Sequence, residues 1–151
     1  KVASRRAVRG WVSAQLLARR VSAAEAAAAP RAALQAVFGA HVGFVAEHPG
    51  VPRIILSELQ RAGDTAPKRA VQQLVGSYGA RLHRLLAQGQ AQGELRADLD
   101  VQAAATLFIG TVQGLVMQSL ITGDMPRMRS DAQRVFAIYQ RGIEAAESTS
   151  S

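Results

Sequence analysis

Apolar positions recur at three- and four-residue spacing along most of the chain, the pattern of helices buried on one side. Leu34, Val37, Phe38, His41, Phe44 and Val45 form one stripe. Val71, Leu74, Val75, Tyr78, Leu82 and Leu85 form a second, and Ala132, Val135, Phe136, Tyr139 and Ile143 a third. Ser22-Ala-Ala-Glu25 reads as a capping box that opens an alanine-rich helix, and Pro30 suits the first turn of the next. His48-Pro49-Gly50-Val51-Pro52 breaks that helix, and a short one is expected from about Pro52 to Ala62. Gly63-Asp64-Thr65 with Pro67 is a further stop and start, and Gly93 should close the long helix that follows. Asp98 or Asp100 then caps the next segment, and Ser130-Asp-Ala-Gln133 reads as a capping box for the last helix. No period-two alternation is long enough for a strand. The expectation is an all-α bundle of about five to six helices, with residues 23–147 as the domain and 148–151 as a frayed tail.

Val101 to Gly123 contains no charged residue. At ~1.5 Å per residue it is long enough to span a bilayer, and Gly110-x-x-x-Gly114 resembles a membrane dimerisation motif. Gln102, Gln113 and Gln118, three threonines and a serine make it a poor insertion sequence, so no membrane association is expected. Its periodicity explains it better. Val101, Ala105, Phe108, Val112, Leu115 and Ser119 make one stripe; Ala103, Leu107, Gly110, Gly114, Met117 and Ile121 make another, offset by about 200°. One face can enter the domain's own core. The other, with two glycines that permit close backbone approach, wants a second partner, most simply another copy of the chain. The alternative is a central helix enclosed on all sides within one chain.

Composition narrows the picture. The chain of 151 residues is 48% hydrophobic, enough for a folded globule of one domain, and only 5% aromatic. With no cysteine, disulfide scaffolds, thiolate zinc sites and cysteine nucleophiles are excluded. The net charge of +7 looks like a nucleic-acid signal until it is located. Lys1, Arg5, Arg6, Arg9, Arg19 and Arg20 fall in the first twenty residues without an acid, and the remainder holds 12 basic against 11 acidic residues. Without aromatic interleaving or a groove-reading motif, that segment reads first as a solvated terminus. Arg19 and Arg20 interrupt the apolar stretch near the start, so it lacks a signal-peptide layout, and a cytoplasmic location is expected. The start at Lys1 suggests a piece of a longer protein.

Catalytic chemistry is not visible. His41, His48 and His83 lack the spacing of a metal pair, and no glycine loop for phosphate is present. Glu47-His48 and Asp98-Leu-Asp100 sit at helix ends, where caps and terminal charges belong. No enzyme, cofactor or metal site is expected. His41 stands inside an apolar stripe, either as an imidazole with a backbone or tyrosine partner, or as a polar point in an apolar ligand cavity.

Four stretches in order carry a family resemblance: Pro30-Arg-Ala-Ala-Leu34; Phe44-Val-Ala-Glu-His-Pro49 leading to Leu56-Ser-Glu58; Gly89-Gln-Ala-Gln-Gly-Glu-Leu-Arg-Ala-Asp-Leu-Asp100; and Phe108-Ile-Gly-Thr-Val-Gln-Gly-Leu115. From about Pro30 to Ala146 the chain resembles the regulatory half of a tetracycline-repressor (TetR) family transcription factor. The family's helix-turn-helix is not found here, and residues 1–22 are the end of its linking helix, a replacement for it, or sequence foreign to the domain. The resemblance implies a repressor's effector-binding and dimerising module, with the last two long helices building a four-helix interface and DNA bound only through a domain outside this chain. A free-standing small-molecule carrier or protein-interaction module without a DNA role is the alternative. Sequence upstream of Lys1 separates the two.

The expected homodimer face joins Leu107, Gly110, Gly114, Met117 and Ile121 to Phe136, Tyr139 and Ile143. The expected effector wall is Phe38, His41, Val45, Leu74, Tyr78, Phe108 and Val112, between the helices that begin near Pro30 and Pro67. Apolar with two hydrogen-bonding groups and no basic residue, it suits an uncharged or weakly polar organic molecule. The plainer alternative is that these side chains fill a solid core.

Overall fold

The computed structural model describes residues 3–26 and 29–146. Six helices follow one another: α1 Ala3–Ala26, α2 Pro30–Glu47, α3 Gly50–Leu59, α4 Ala66–Ala91, α5 Val101–Thr122 and α6 Met125–Ile143. Among the described residues no strand forms; Leu95 and Glu144 make an isolated antiparallel bridge. The expected frayed tail, 148–151, lies outside the described residues.

Two capping readings are corrected. Ser22 does not open a helix; α1 runs through it, because nothing between the flanking alanines breaks a helix before Pro30. The domain boundary drawn after residue 22 therefore falls inside α1. The Ser22 hydroxyl instead accepts from Arg81 of α4, whose guanidinium also donates to the Ala18 carbonyl at 3.4 Å. Likewise α6 starts at Met125, with Asp124 accepting from the Arg127 amide at 3.0 Å, and Ser130 lies inside the helix. The other caps follow the sequence signals. Thr65 accepts from the Lys68 amide, Asp100 from the Ala103 amide, and Gly123 leaves α5 at φ +74°.

The core is a seam of aromatic and branched side chains. Phe38 of α2 meets Phe108 of α5 edge-on at 5.5 Å and Phe136 of α6 at 4.8 Å. The Tyr139 hydroxyl donates to the Ala104 carbonyl at 2.7 Å, satisfying a buried phenol. At one end of the bundle the packing is tight. Gly89 accepts from the amides of both Glu94 and Leu95, and a side chain there would meet Leu95 at 2.8 Å. The Arg96 amide donates to Ile143, the Ala145 amide to Glu94, and Arg31 pairs with Glu144 at 2.6 Å.

The opposite end is looser. In α3 only Val51 and Glu58 are buried, although Ile54, Ile55, Leu56 and Leu59 are all apolar. The buried residues of α4 begin only at Leu82. Near this end α1 crosses α3 closely at Gly10, where a Cβ would lie 2.9 Å from Cγ2 of Ile54.

Candidate functional site

Of the seven residues expected to form one wall, the structure brings six to one region. Phe38, Val45, Phe108 and Val112 are buried in the continuous core. Tyr78 lies 6.4 Å from Phe108, ring centre to ring centre, and 5.3 Å from His41. His41 Nδ1 and the Tyr78 hydroxyl are hydrogen bonded at 3.0 Å, so the imidazole has the tyrosine partner that its apolar stripe required. Burial pushes the His41 pKa down from 6.5 to about 4 and the Tyr78 phenol well above its usual range, so both are neutral near pH 7. The pair is a polar island with no charge of its own.

Leu74, the seventh, turns toward α1 and α3. There it lines a cavity of about 30 Å³ with Gly10, Ala14, Ile54, Glu58 and Val71. Pro67, Val71, Leu74 and Tyr78 follow one another along a single stripe of α4, so this corner and the His41–Tyr78 pair are neighbours on the same helix face. Glu58 is the residue the sequence reading missed. Its position seven residues after Val51 and four after Ile54 was the available signal, since that register turns it inward with them.

The two faces of α5 separate as their periodicity requires. Ala105, Phe108, Val112, Leu115 and Ser119 are buried. On the other side Leu107 is 58%, Met117 43% and Ile121 75% exposed, with nothing within 4 Å of a Cβ added at Gly110 or Gly114. The residues expected to join them from α6 need correction. Phe136, Tyr139 and Ile143 are buried in the chain's own core, because α6 has a single apolar stripe and the core takes it. The outward apolar residue of α6 is Ile138, 73% exposed. An open groove of about 520 Å³ runs between the two helices, bordered by Gly110, Gly114, Gln118, Arg134, Val135 and Ile138. α5 is long and apolar enough to cross a membrane, but its Phe108 face is covered by the bundle.

The basic segment is partly engaged. Arg20 pairs with Glu47 at 2.7 Å and lies over the Phe44 ring, while Arg5, Arg9 and Arg19 are exposed. Among the described residues no group of three histidine, aspartate or glutamate side chains converges as metal ligands.

Six helices in this order have counterparts in fold among solved transcription regulators. The ketosteroid transcriptional regulator KstR2 of Mycobacterium tuberculosis superposes with a TM-score of 0.78 at 22% identity, over 89% of this chain and 68% of that one. A TetR transcriptional regulator from Chloroflexus aurantiacus gives 0.74 at 18%, over 89% and 70%. FadR from Bacillus subtilis, solved in complex with stearoyl-CoA, gives 0.73 at 18%, over 89% and 72%. At such identities the likeness establishes the fold. No curated protein matches the sequence significantly. Residues 55–145 match the family described as tetracyclin repressor-like, C-terminal domain, and the chain belongs to that family, one of regulators and not of enzymes.

Proposed function

We propose that this chain is the effector-binding and dimerisation domain of a TetR-type one-component repressor. In this reading effector binding biases DNA binding by a helix-turn-helix domain outside the chain, in the cytoplasm. The single observation that carries it is the outer face of α5 and α6. Leu107, Met117, Ile121 and Ile138 expose large apolar side chains around two open glycines, a cost in water that a two-fold partner removes. The partner is a second copy of the chain, whose heads would then be spaced by the relative tilt of the two protomers.

The proposed effector lodges along the inner stripe of α4, from Leu74 to Tyr78. His41 supplies the second polar group, with Phe38, Val45, Phe108 and Val112 as the apolar layer behind. The neutral His41–Tyr78 pair suits an apolar or weakly polar organic molecule. Sedimentation equilibrium at micromolar concentration tests the assembly, and the expected species has twice the 16.0 kDa of the chain. A strict monomer there overturns the reading. A DNA titration accompanies it: binding through the basic segment alone should be weak, salt-sensitive and indifferent to sequence.

A further inference from the structure

Among the described residues the corner between α1, α3 and α4 has apolar walls, with one exception. Gly10, Ala14, Ile54, Val71 and Leu74 line it together with Glu58, which is 9% exposed. One Glu58 oxygen accepts from the Thr65 hydroxyl at 2.8 Å. That hydroxyl also caps α4 by accepting from the Lys68 amide at 3.2 Å, so the carboxylate is oriented by the helix cap itself. The second oxygen lies 3.6 Å from Arg61, whose side chain is 55% exposed and therefore screened by water. Lys68 makes no direct ion pair with Glu58; its ammonium donates to the carbonyls of Arg61 and Gly63 at 2.6 and 3.0 Å. A carboxylate has about four acceptor positions, and among the described residues these contacts use only part of that capacity, although no buried side-chain oxygen is left without any partner.

Resting on the effector reading above for the site, but replacing its uncharged ligand with one charged at the Glu58 end, we infer that the α1–α3–α4 corner takes an amine: a cationic nitrogen on an apolar body, with the nitrogen held by the Glu58 carboxylate. The cationic head supplies a charge-assisted hydrogen bond where water is largely excluded, and a carboxylate ligand meets like charge at the same wall. At about 30 Å³ the cavity admits little more than a water-sized group, so the apolar body displaces α3. That helix is the element with least to lose, since only two of its ten residues are buried.

The test uses three probes of one shape, phenylbutylamine, phenylbutanol and phenylbutanoate, titrated calorimetrically into the native chain. The net charge of +7 opposes general attraction of amines, so a preference for the amine reports a local acid. The amine should bind about tenfold tighter than the alcohol, with the carboxylate weakest. Glu58→Gln, which keeps an acceptor for Thr65, should bring amine and alcohol to within about twofold of each other. An alcohol or carboxylate that matches or outbinds the amine overturns the assignment to Glu58 and leaves the effector reading standing. An amine preference that survives Glu58→Gln does the same. If none of the three binds at millimolar concentration, the effector reading of this corner fails and the inference falls with it. The native series decides the matter even where the variant does not fold.

Discussion

His41 on α2 and Tyr78 on α4 are joined by a 3.0 Å hydrogen bond between Nδ1 and the phenol oxygen, the imidazole holding its pKa near 4 because it is buried. The unfolded chain takes up that proton around pH 6.5, whereas the folded chain resists it until about pH 4. In this window the unfolded state binds more protons, so stability falls as pH drops from about 6.5 toward 4 and levels off below. The loss should approach ~3 kcal/mol, at 1.36 kcal/mol per pKa unit. Urea titrations at several pH values measure it. His41→Gln keeps an acceptor for Tyr78 but cannot titrate, and should flatten the profile.

Substitutions at Gly110 and Gly114 would separate folding from the proposed assembly. A side chain at either position meets nothing within 4 Å in the single chain, so Gly110→Leu and Gly114→Leu should leave monomer stability unchanged or raise it by up to ~1 kcal/mol through helix propensity. In the proposed two-fold seam the same leucines overpack, at ~1–3 kcal/mol per site. Sedimentation should then show dimer dissociation shifted tenfold or more. Equal dissociation of native chain and variants would place the seam elsewhere.

Phe108 has no exposed surface and touches Phe38, Phe136 and Tyr139. Phe108→Ala should therefore cost ~3–5 kcal/mol by denaturant unfolding. Tyr78 is only half-buried, so Tyr78→Ala should cost less and act on ligand response instead. Tyr139→Phe isolates one hydrogen bond, the one to the Ala104 carbonyl, and should cost ~1 kcal/mol.

The tight end of the bundle provides a paired test. Gly89→Ala drives a Cβ against Leu95 at 2.8 Å and should destabilise by ~1–3 kcal/mol. Gly39→Ala, in the middle of α2 with open space around it, should stabilise by ~0.5–1 kcal/mol. Thermal unfolding should move the two in opposite directions.

The sequence showed helix stripes more clearly than helix starts. The stripes of α2 and α5 reached the structure largely intact because core packing fixes their period, whereas of the α4 stripe only Leu82 and Leu85 are buried and Val75 faces outward. The starts failed at Ser22 and Ser130, where a capping pattern occurs inside a helix that nothing else interrupts. Local chemistry cannot tell a cap from an interior serine whose hydroxyl has found Arg81 or a carbonyl. Phe136, Tyr139 and Ile143 were legible as apolar but not as inward or outward. An amphipathic helix has one stripe, and only the fold says which neighbour receives it. Glu58 escaped notice because a charged residue four positions from an isoleucine reads as surface until α1 and Thr65 close over it.

Were α1 to turn as a rigid rod about the clamp from Arg81 to Ser22 and Ala18, it would act as a lever. With its fulcrum at Ser22, the arm to Ala3 is about 28 Å long at ~1.5 Å per residue, and Gly10 stands about 18 Å out along it. A displacement of ~1 Å at the Gly10–Ile54 crossing therefore becomes ~1.6 Å at the far tip, a gain set by helix length alone. Any wedge driven into the corner beneath Gly10 acts on the short arm of this device, and whatever is joined ahead of Ala3 receives the longer throw.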